Sequence, residues 1–170
     1  MKPKTVQRAD GLQAVSGSDD SQIESDPAGL IAGTLVLTMD GELPVEFLSP
    51  GDRIISRDFG MSVITSMRVR KVTARAVKIA AGSLGHTRPE EDTLLPAGQK
   101  LLVRDWRAET LYGRKQAAIP AARLVDGHYV TDAGETEMRL YELRFEREQT
   151  IYAGGMEILA SSEAKADLSA

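Results

Sequence analysis

The chain has 170 residues, carries a formal net charge of −4 and contains no cysteine. Its content of 42% apolar and 27% charged residues is typical of a soluble globular protein with one core. The acidic balance argues against a nucleic-acid-binding domain, which usually carries a basic face. The absence of cysteine excludes disulfides, thiolate metal ligands and a cysteine nucleophile.

Three segments of the chain differ in composition. Residues 1–28 are rich in Ser, Asp and Gln and predict a disordered N-terminal tail. Residues 29–159 carry dense strand signals and predict one β domain, whereas the small polar residues 160–170 predict a flexible C-terminal tail. No apolar run approaches the roughly 20 residues that span a bilayer, and no secretory signal pattern precedes the domain. We therefore expect no contact with a membrane, and a protein that is cytoplasmic or exported without a cleavable signal.

Two turn signals lie close together near the start of the predicted domain. Asp40-Gly41 predicts a tight hairpin of type I′, which needs positive φ at both central positions. Pro50-Gly51 predicts a type II turn, because proline presets φ at one position and glycine supplies positive φ at the next. Between these turns, residues 45–48 predict a single helical turn.

The rest of the body predicts short strands separated by turns. Side-chain alternation and frequent β-branched residues indicate strands at 61–73, 76–79, 94–95, 101–103, 139–145 and 149–152. Short helical turns are predicted at 80–84 and at 120–124, the second with proline at a helix-start position. Many short strands with turns about every ten residues predict an all-β sandwich or barrel.

The turns and strands together resemble bacterial Hint-like domains, which belong to the hedgehog/intein family. Residues 41–52 match that family's G-x-x-P-V-E-x-L-x-P-G-D, and later segments of the family are matched in the same order. These later segments are residues 76–85, 92–103, 119–127 and 142–148. The resemblance implies an all-β, horseshoe-like Hint fold with one or two short helical turns, in which long strands such as 61–73 cross between two halves.

The same resemblance implies where autoprocessing chemistry would take place. In this family the first residue attacks the preceding carbonyl with a thiol or hydroxyl, and that position here is Gly29, which has no nucleophile. The family's histidine falls on Gln99, which can hydrogen-bond but cannot transfer a proton near neutral pH. Its accompanying hydroxyl residue falls on Pro96, and two later histidines fall on Glu142 and Glu148.

Loss of these functional groups predicts a scaffold that has kept its fold but not its self-cleavage. We expect such a protein to bind an unidentified protein or small molecule, without a cofactor. An alternative stays open: Ser25 or Thr34 could act as a non-cysteine nucleophile that cleaves the N-terminal segment. A third interpretation is a β-barrel unrelated to Hint domains, in which the ends of the folded body would lie far apart.

Four other features favour structural roles. His86 and His128 are the only histidines, and without ligand spacing they predict surface residues rather than metal ligands. The acidic run at 90–92 predicts a solvated loop and lacks the spacing of a calcium loop. Trp106 predicts a side chain at the edge of the core, with an anchor for a partner as the alternative.

Four cations on one predicted strand are the last of these features: Arg68, Arg70, Lys71 and Arg75. They predict a solvated strand face, and a basic stripe for an anionic partner is the alternative.

Overall fold

The computed structural model describes residues 26–85 and 87–164. Among these residues it contains twelve β-strands, one seven-residue α-helix and two short 3₁₀ turns. The all-β fold class expected from the sequence is therefore confirmed. Most of the two predicted tails, together with Ser25 and His86, lies outside the described residues.

The strands are β1 (Leu30–Ile31), β2 (Leu35–Thr38), β3 (Gly41–Pro44), β4 (Arg53–Ser56), β5 (Gly60–Val63), β6 (Ser66–Ile79), β7 (Thr93–Pro96), β8 (Lys100–Val103), β9 (Ala117–Pro120), β10 (Val130–Phe145), β11 (Gln149–Ala153) and β12 (Met156–Ser162). The helix α1 (Trp106–Tyr112) lies between β8 and β9, and the 3₁₀ turns are Val45–Phe47 and Ala121–Leu124.

The strands hydrogen-bond in the order β3-β2-β4-β11-β12-β10-β6-β7, with β1, β5, β8 and β9 attached at the sides. Strands β6 and β10 form a long antiparallel ribbon, which has a bulge between Asp132 and Gly134. Strand β10 also pairs with β1 near its middle and with β12 at its C-terminal end. The first and last strands of the domain therefore both pair with the C-terminal half of β10.

One main core cluster holds the sheet together, and its largest fully buried strand side chains come from nine different strands. Burial of such a side chain contributes about 1.5–3 kcal/mol each. They include Val36, Ile54, Ile79, Leu101, Phe145 and Ile158. The apolar alternation noted in the sequence thus provides most of the packing energy of the domain.

The two turn predictions have different outcomes. The type II turn is confirmed, because Gly51 has φ +97° and the N–H of Asp52 donates to the carbonyl of Ser49 at 3.1 Å. The type I′ prediction is wrong, since Gly41 has positive φ but Asp40 does not. Here the hydroxyl of Thr38 accepts from the N–H of Asp40 at 3.0 Å and donates to the carbonyl of Gly41 at 2.7 Å. This side chain closes the turn without a second left-handed residue.

The predicted strand at 61–73 is interrupted. Strand β5 ends at Val63, and the buried Ile64 donates its N–H to the carbonyl of Asp52 at 3.0 Å. Strand β6 then continues without a break to Ile79, so the predicted strands at 66–73 and 76–79 are one. Pairing with β10 accounts for this length, because it supplies partners across the whole ribbon.

Three other boundaries differ from the sequence prediction. The predicted strand at 139–145 starts nine residues earlier, at Val130, because β6 pairs with that extension as well. Residues 160–162 belong to β12 and not to a tail, since Ser161 and Ser162 pair with the end of β10. The segment 80–84 forms hydrogen-bonded turns and not a helix.

The helix α1 was not predicted from the sequence, although both of its ends carry a signal. The side chain of Asp105 accepts from the N–H of Arg107 at 2.9 Å, which is an N-cap. Gly113 ends the helix with φ +65°. A capping residue eight positions before a glycine could therefore have indicated this short helix.

Candidate functional site

A groove of about 320 Å³ opens where the two ends of the domain meet. Its walls include Asp26, Ala28 and Gly29 from the start of the described chain and Ala160 and Ser161 from β12. Apolar and charged side chains also line it: Leu30, Leu143, Ile151 and Ile158, and Lys100, Glu142, Arg144 and Glu148. We call this cavity the Gly29 groove. The ends of the folded body thus lie together, contrary to the expectation for an unrelated barrel.

Gln99 is held at the base of this groove by the turn between β7 and β8. Its backbone N–H donates to the carbonyl of Pro96 at 3.0 Å, and only 4% of the residue is exposed. The side-chain Oε1 accepts from the N–H of Gly29 at 2.9 Å. The side-chain Nε2 donates to the carbonyls of Lys100 and Leu159, both at 2.9 Å. Both the oxygen and the nitrogen of this side-chain amide are therefore hydrogen-bonded, which fixes its orientation.

Gly29 occupies a position that favours glycine. Its φ is +140°, which L side chains rarely adopt. A Cβ built there would lie 3.2 Å from the carbonyl oxygen of Tyr141 and 3.3 Å from Cγ of Glu142. A side chain at position 29 would thus face both backbone strain and close contacts.

The other positions implied by the resemblance are divided between two places. Glu142 and Glu148 line the Gly29 groove, so the structure brings them together with Gly29 and Gln99. The carboxylate of Glu142 forms ion pairs with Arg70 at 2.8 Å and with Arg144 at 3.3 Å. Pro96 is buried at the end of β7 opposite Ala76 and does not line the groove.

The candidate nucleophile Thr34 points elsewhere. Its hydroxyl donates to the carbonyl of Ile31 at 2.7 Å, within the turn that joins β1 to β2. Thr34 lines a different groove, together with Gly154 and Thr93, and not the Gly29 groove. The hydroxyl is therefore engaged in closing a local turn. Ser25, the other candidate, lies outside the described residues.

The prediction that Trp106 lies at the core edge is wrong. The residue is 65% exposed, and the guanidinium of Arg107 lies 5.1 Å from the centre of its ring. Helix α1 instead buries Arg107 and Ala108, the next two residues along the chain. The exposure of Trp106 was not predicted because helix α1 was not predicted. Without the helix, the direction of its side chains could not be derived from the sequence.

The cations of β6 face acidic residues of β10 across the ribbon. Arg70 pairs with Glu142, as described above. The other two pairs join Lys71 to Glu137 at 2.8 Å and Arg75 to Asp132 at 3.0 Å. Arg68 is exposed beside them. These pairs favour the predicted solvated strand face over a free basic stripe.

Within the part of the chain that the structure describes, no three His, Asp or Glu side chains come close enough together to hold a metal ion. The exposed ring of His128 packs edge-on against Tyr129, with ring centres 4.4 Å apart. In the acidic run, the N–H of Ala81 and the ammonium of Lys78 hold the pKa of Asp92 below its ordinary value. None of the described helices is both long and apolar enough to cross a bilayer.

Sequence reasoning gave no role to Gly98, which also lines the groove. Its Cα faces the main chain of Asp26, and a Cβ there would lie 2.5 Å from the carbonyl oxygen of Asp26. The local sequence Pro-Ala-Gly-Gln indicates a turn, but it does not show which distant segment approaches the glycine.

Comparisons with known proteins agree with this geometry. Residues 28–161 match the family model described as the Hint domain. A bacterial intein-like domain from Clostridium thermocellum matches with a TM-score of 0.55 and 16% identity, over 79% of this chain and 99% of that one. The TvoVMA intein matches with a TM-score of 0.57 and 13% identity, over 77% of this chain and 96% of its own. At these identities the two structures show a shared fold. None of the curated proteins matches the sequence significantly.

Proposed function

We propose that this chain, which belongs to the Hint domain family, is a catalytically inactive member that serves as a binding or interaction scaffold. The observation that carries the proposal is the contact between Gly29 and Gln99 at the Ala28–Gly29 peptide. Where autoprocessing needs a nucleophile there is a glycine, and a neutral amide is hydrogen-bonded to its N–H at 2.9 Å.

The missing chemistry concerns both steps of the reaction. Without a side chain, Gly29 cannot attack the carbonyl of Ala28, so no ester or thioester can form there. Gln99 accepts from the N–H of Gly29 but has no proton to deliver to a leaving amine near neutral pH. Thr34 does not replace the nucleophile in the described geometry, because its hydroxyl donates to Ile31.

A binding role is supported by the Gly29 groove itself. Its walls combine apolar side chains with charged groups of both signs, which is a common composition of sites that bind part of another molecule. The groove lies beside the segment that precedes Gly29, so that segment remains attached next to it. The partner would be a protein segment or a small molecule.

The proposal is tested by the intact mass of the full-length chain. The purified protein is incubated for a day at physiological temperature, alone and with dithiothreitol or hydroxylamine. We expect one species with the mass of residues 1–170 in every sample. A fragment that begins near Ala28 to Gly33 and forms faster with hydroxylamine would overturn the proposal, because it would demonstrate an ester intermediate.

Two variants assign the nucleophile if such a fragment forms. Loss of cleavage in Thr34→Val or in Ser25→Ala would identify the hydroxyl responsible, and both variants keep a side chain of similar size. We expect both variants to behave as the unaltered chain does, with no fragment in any sample.

A further inference from the structure

A second groove, of about 360 Å³, lies between strand β5 and the connection from β10 to β11. One wall contains Phe59, residues 61–63 and Thr65, and the other contains residues 145–147 and Gln149. We call this cavity the β5 groove. The described residues that line it all differ from those of the Gly29 groove, so the two are separate places in the fold.

Strand β5 has a free edge, which is the side of its main chain that faces away from β4. Within the described chain β5 pairs with β4 alone. This pairing continues at Ile64, whose N–H donates to Asp52 and whose carbonyl accepts from Gly51. Because the main-chain groups of a strand alternate in direction, those of Met61 and Val63 point to the free edge.

The free edge borders the β5 groove. Met61, Ser62 and Val63 all line this groove, although the side chains of neighbouring strand residues point to opposite faces of a sheet. Three consecutive residues line one cavity in this way where the edge of the strand, rather than a face, borders it. An extended segment in the groove would therefore lie beside unpaired main-chain N–H and carbonyl groups.

The sequence of β5 does not block this edge. Natural edge strands are often protected by charged residues, especially lysine, or by proline. Strand β5 is short but contains neither a charged residue nor proline, and Phe59, Met61 and Val63 are 41–48% exposed. An uncharged edge with exposed apolar side chains is suited to receive another strand.

The opposite wall contains a buried acceptor without a partner. Gln149 is 5% exposed, and its Nε2 donates to the carbonyl of Arg147 at 3.1 Å. Its Oε1 has no hydrogen-bond partner among the described residues. Buried polar atoms are nearly always satisfied, so an exception in the wall of a groove indicates a donor that comes from outside the domain. A peptide N–H is such a donor.

The charge at one end of the groove favours an acidic residue in the occupant. The guanidinium of Arg147 lies 5.3 Å from the centre of the Phe59 ring and forms no ion pair with the described residues. Glu146 is exposed beside it, but the cation is the group held over the ring. A carboxylate that entered at the Phe59 end would pair with Arg147.

We propose that the β5 groove binds an extended peptide segment of a partner protein, which adds a strand to the free edge of β5. Main-chain groups of the segment pair with Met61 and Val63, and an acidic side chain of the segment pairs with Arg147. A single strand fits this place better than a second copy of the domain does, because residues 145–147 form a wall opposite the edge. The inference adds a second site to the proposed scaffold and rests on that function for the role of the partner.

Hydrogen exchange of the full-length chain tests the free edge. We expect the amides of Met61 and Val63 to exchange within about tenfold of the rate in an unstructured peptide. The amides of Ser62 and Ile64, which face β4, should be slower by at least about another tenfold. Slow exchange of all four amides would overturn the proposal, because the chain itself or a second copy would already cover the edge.

The probe for binding is a phage-displayed library of random peptides of about eight residues, within the usual range of strand lengths. Selection against the intact chain should enrich sequences with alternating apolar residues and an Asp or Glu. At saturation, a synthetic peptide of the enriched sequence should slow the exchange of Met61 and Val63 about tenfold or more and leave Ser62 unchanged. A library without enrichment, or binding without this alternating protection, would overturn the proposal.

Val63→Pro removes one N–H from the free edge, where proline is tolerated because that N–H faces away from β4. We expect its affinity for the synthetic peptide to fall about tenfold or more, as for the loss of one well-made hydrogen bond. Val63→Thr is the matched control, because it keeps both the N–H and the shape, and it should bind as the unaltered chain does. Equal affinities of all three proteins would contradict main-chain pairing at the edge.

Arg147→Gln is the second variant, for the case that Val63→Pro does not fold. We expect it to weaken peptide binding about threefold or more at low salt and less at high salt, because salt screens the lost ion pair. Unchanged binding would overturn the assigned acidic residue. The intact mass of each sample separates these failures from that of the proposed function: an intact chain that binds no peptide overturns the β5 groove alone, whereas a cleaved chain overturns the inactive scaffold.

Discussion

Two of the regions in which a side chain accepts main-chain N–H groups differ in charge and burial. In the Gly29 groove the acceptor is the buried, neutral amide of Gln99. In the loop before β10 it is the exposed carboxylate of Asp126, whose Oδ1 accepts from the N–H groups of His128, Tyr129 and Val130 at 2.8–3.0 Å.

The contrast follows from the cost of burial. A carboxylate in the position of Gln99 would face the carbonyls of Lys100 and Leu159, and its burial would carry a large desolvation penalty. At the surface, solvent removes that penalty, and a charge makes stronger hydrogen bonds to N–H groups. The hydrogen bond in the groove is therefore made by a group that does not titrate, and the hydrogen bonds in the loop by one that does.

The largest expected effect comes from removing the side-chain amide of Gln99. Gln99→Leu keeps similar volume but removes three hydrogen bonds in a buried place. We expect it to lower the free energy of unfolding by about 2–4 kcal/mol. The measurement is the urea midpoint at neutral pH. A midpoint equal to that of the unaltered chain would mean that these bonds do not stabilise the fold.

A matched variant replaces the amide of Gln99 with a titrating carboxyl group. Gln99→Glu keeps the shape, and protonation would restore one donor towards the two carbonyls. We expect the folded state to raise the pKa of this carboxyl. The Gln99→Glu variant should therefore be most stable, relative to the unaltered chain, below the ordinary glutamate pKa of about 4.3. The loss relative to the unaltered chain should grow as pH rises through the folded pKa.

The next effect concerns Gly29, whose N–H donates to Gln99. Gly29→Ala places a Cβ 3.2 Å from the carbonyl of Tyr141 at φ +140°. We expect a loss of about 1–3 kcal/mol in the free energy of unfolding, from the strained backbone and the contact. Gly33→Ala is the control, because Gly33 also has positive φ but nothing within 4 Å. An equal loss in both variants would show that the contact with Tyr141 contributes nothing.

The smallest effect is expected at the charged loop. The N–H of Val130, followed by that of His128, holds the pKa of Asp126 below its ordinary value. A group with a lowered folded pKa contributes stability above its unfolded pKa of about 3.9 and loses it as pH falls through the folded value. Because the carboxylate is exposed and screened, we expect this contribution to stay below about 1 kcal/mol.

Asp126→Asn is the matched variant for this loop, because it keeps an acceptor oxygen without the charge. The stability difference between the two proteins should be constant from neutral pH down to about 4 and shrink below it. Urea unfolding at several pH values measures it, with intact mass to verify that the new amide has not hydrolysed. A difference that grew on acidification would contradict the assigned sign.

Much of the candidate site was predictable from residue types in order along the chain. The turn signals at Pro50-Gly51 and the segments around Gly29 and Gln99 indicated the family. In the structure the N–H of Gly29 donates to Oε1 of Gln99 at 2.9 Å. The two residues lie 70 positions apart, so no local pattern predicts their contact. Only the resemblance to the family implied it. The role of Gly98 had no such signal, because it depends on the path of Asp26 across the fold.

The sequence alone was sufficient for the all-β class, the type II turn and the absence of a cysteine nucleophile, because each depends on local chemistry or composition. The lengths of β6 and β10, the end of β12 and the close approach of Asp26 to Gly98 depended on tertiary structure. The physical reason is that a strand ends where its partner stops supplying hydrogen bonds. In the same way, a glycine is needed for space only where a distant segment comes close enough to occupy it.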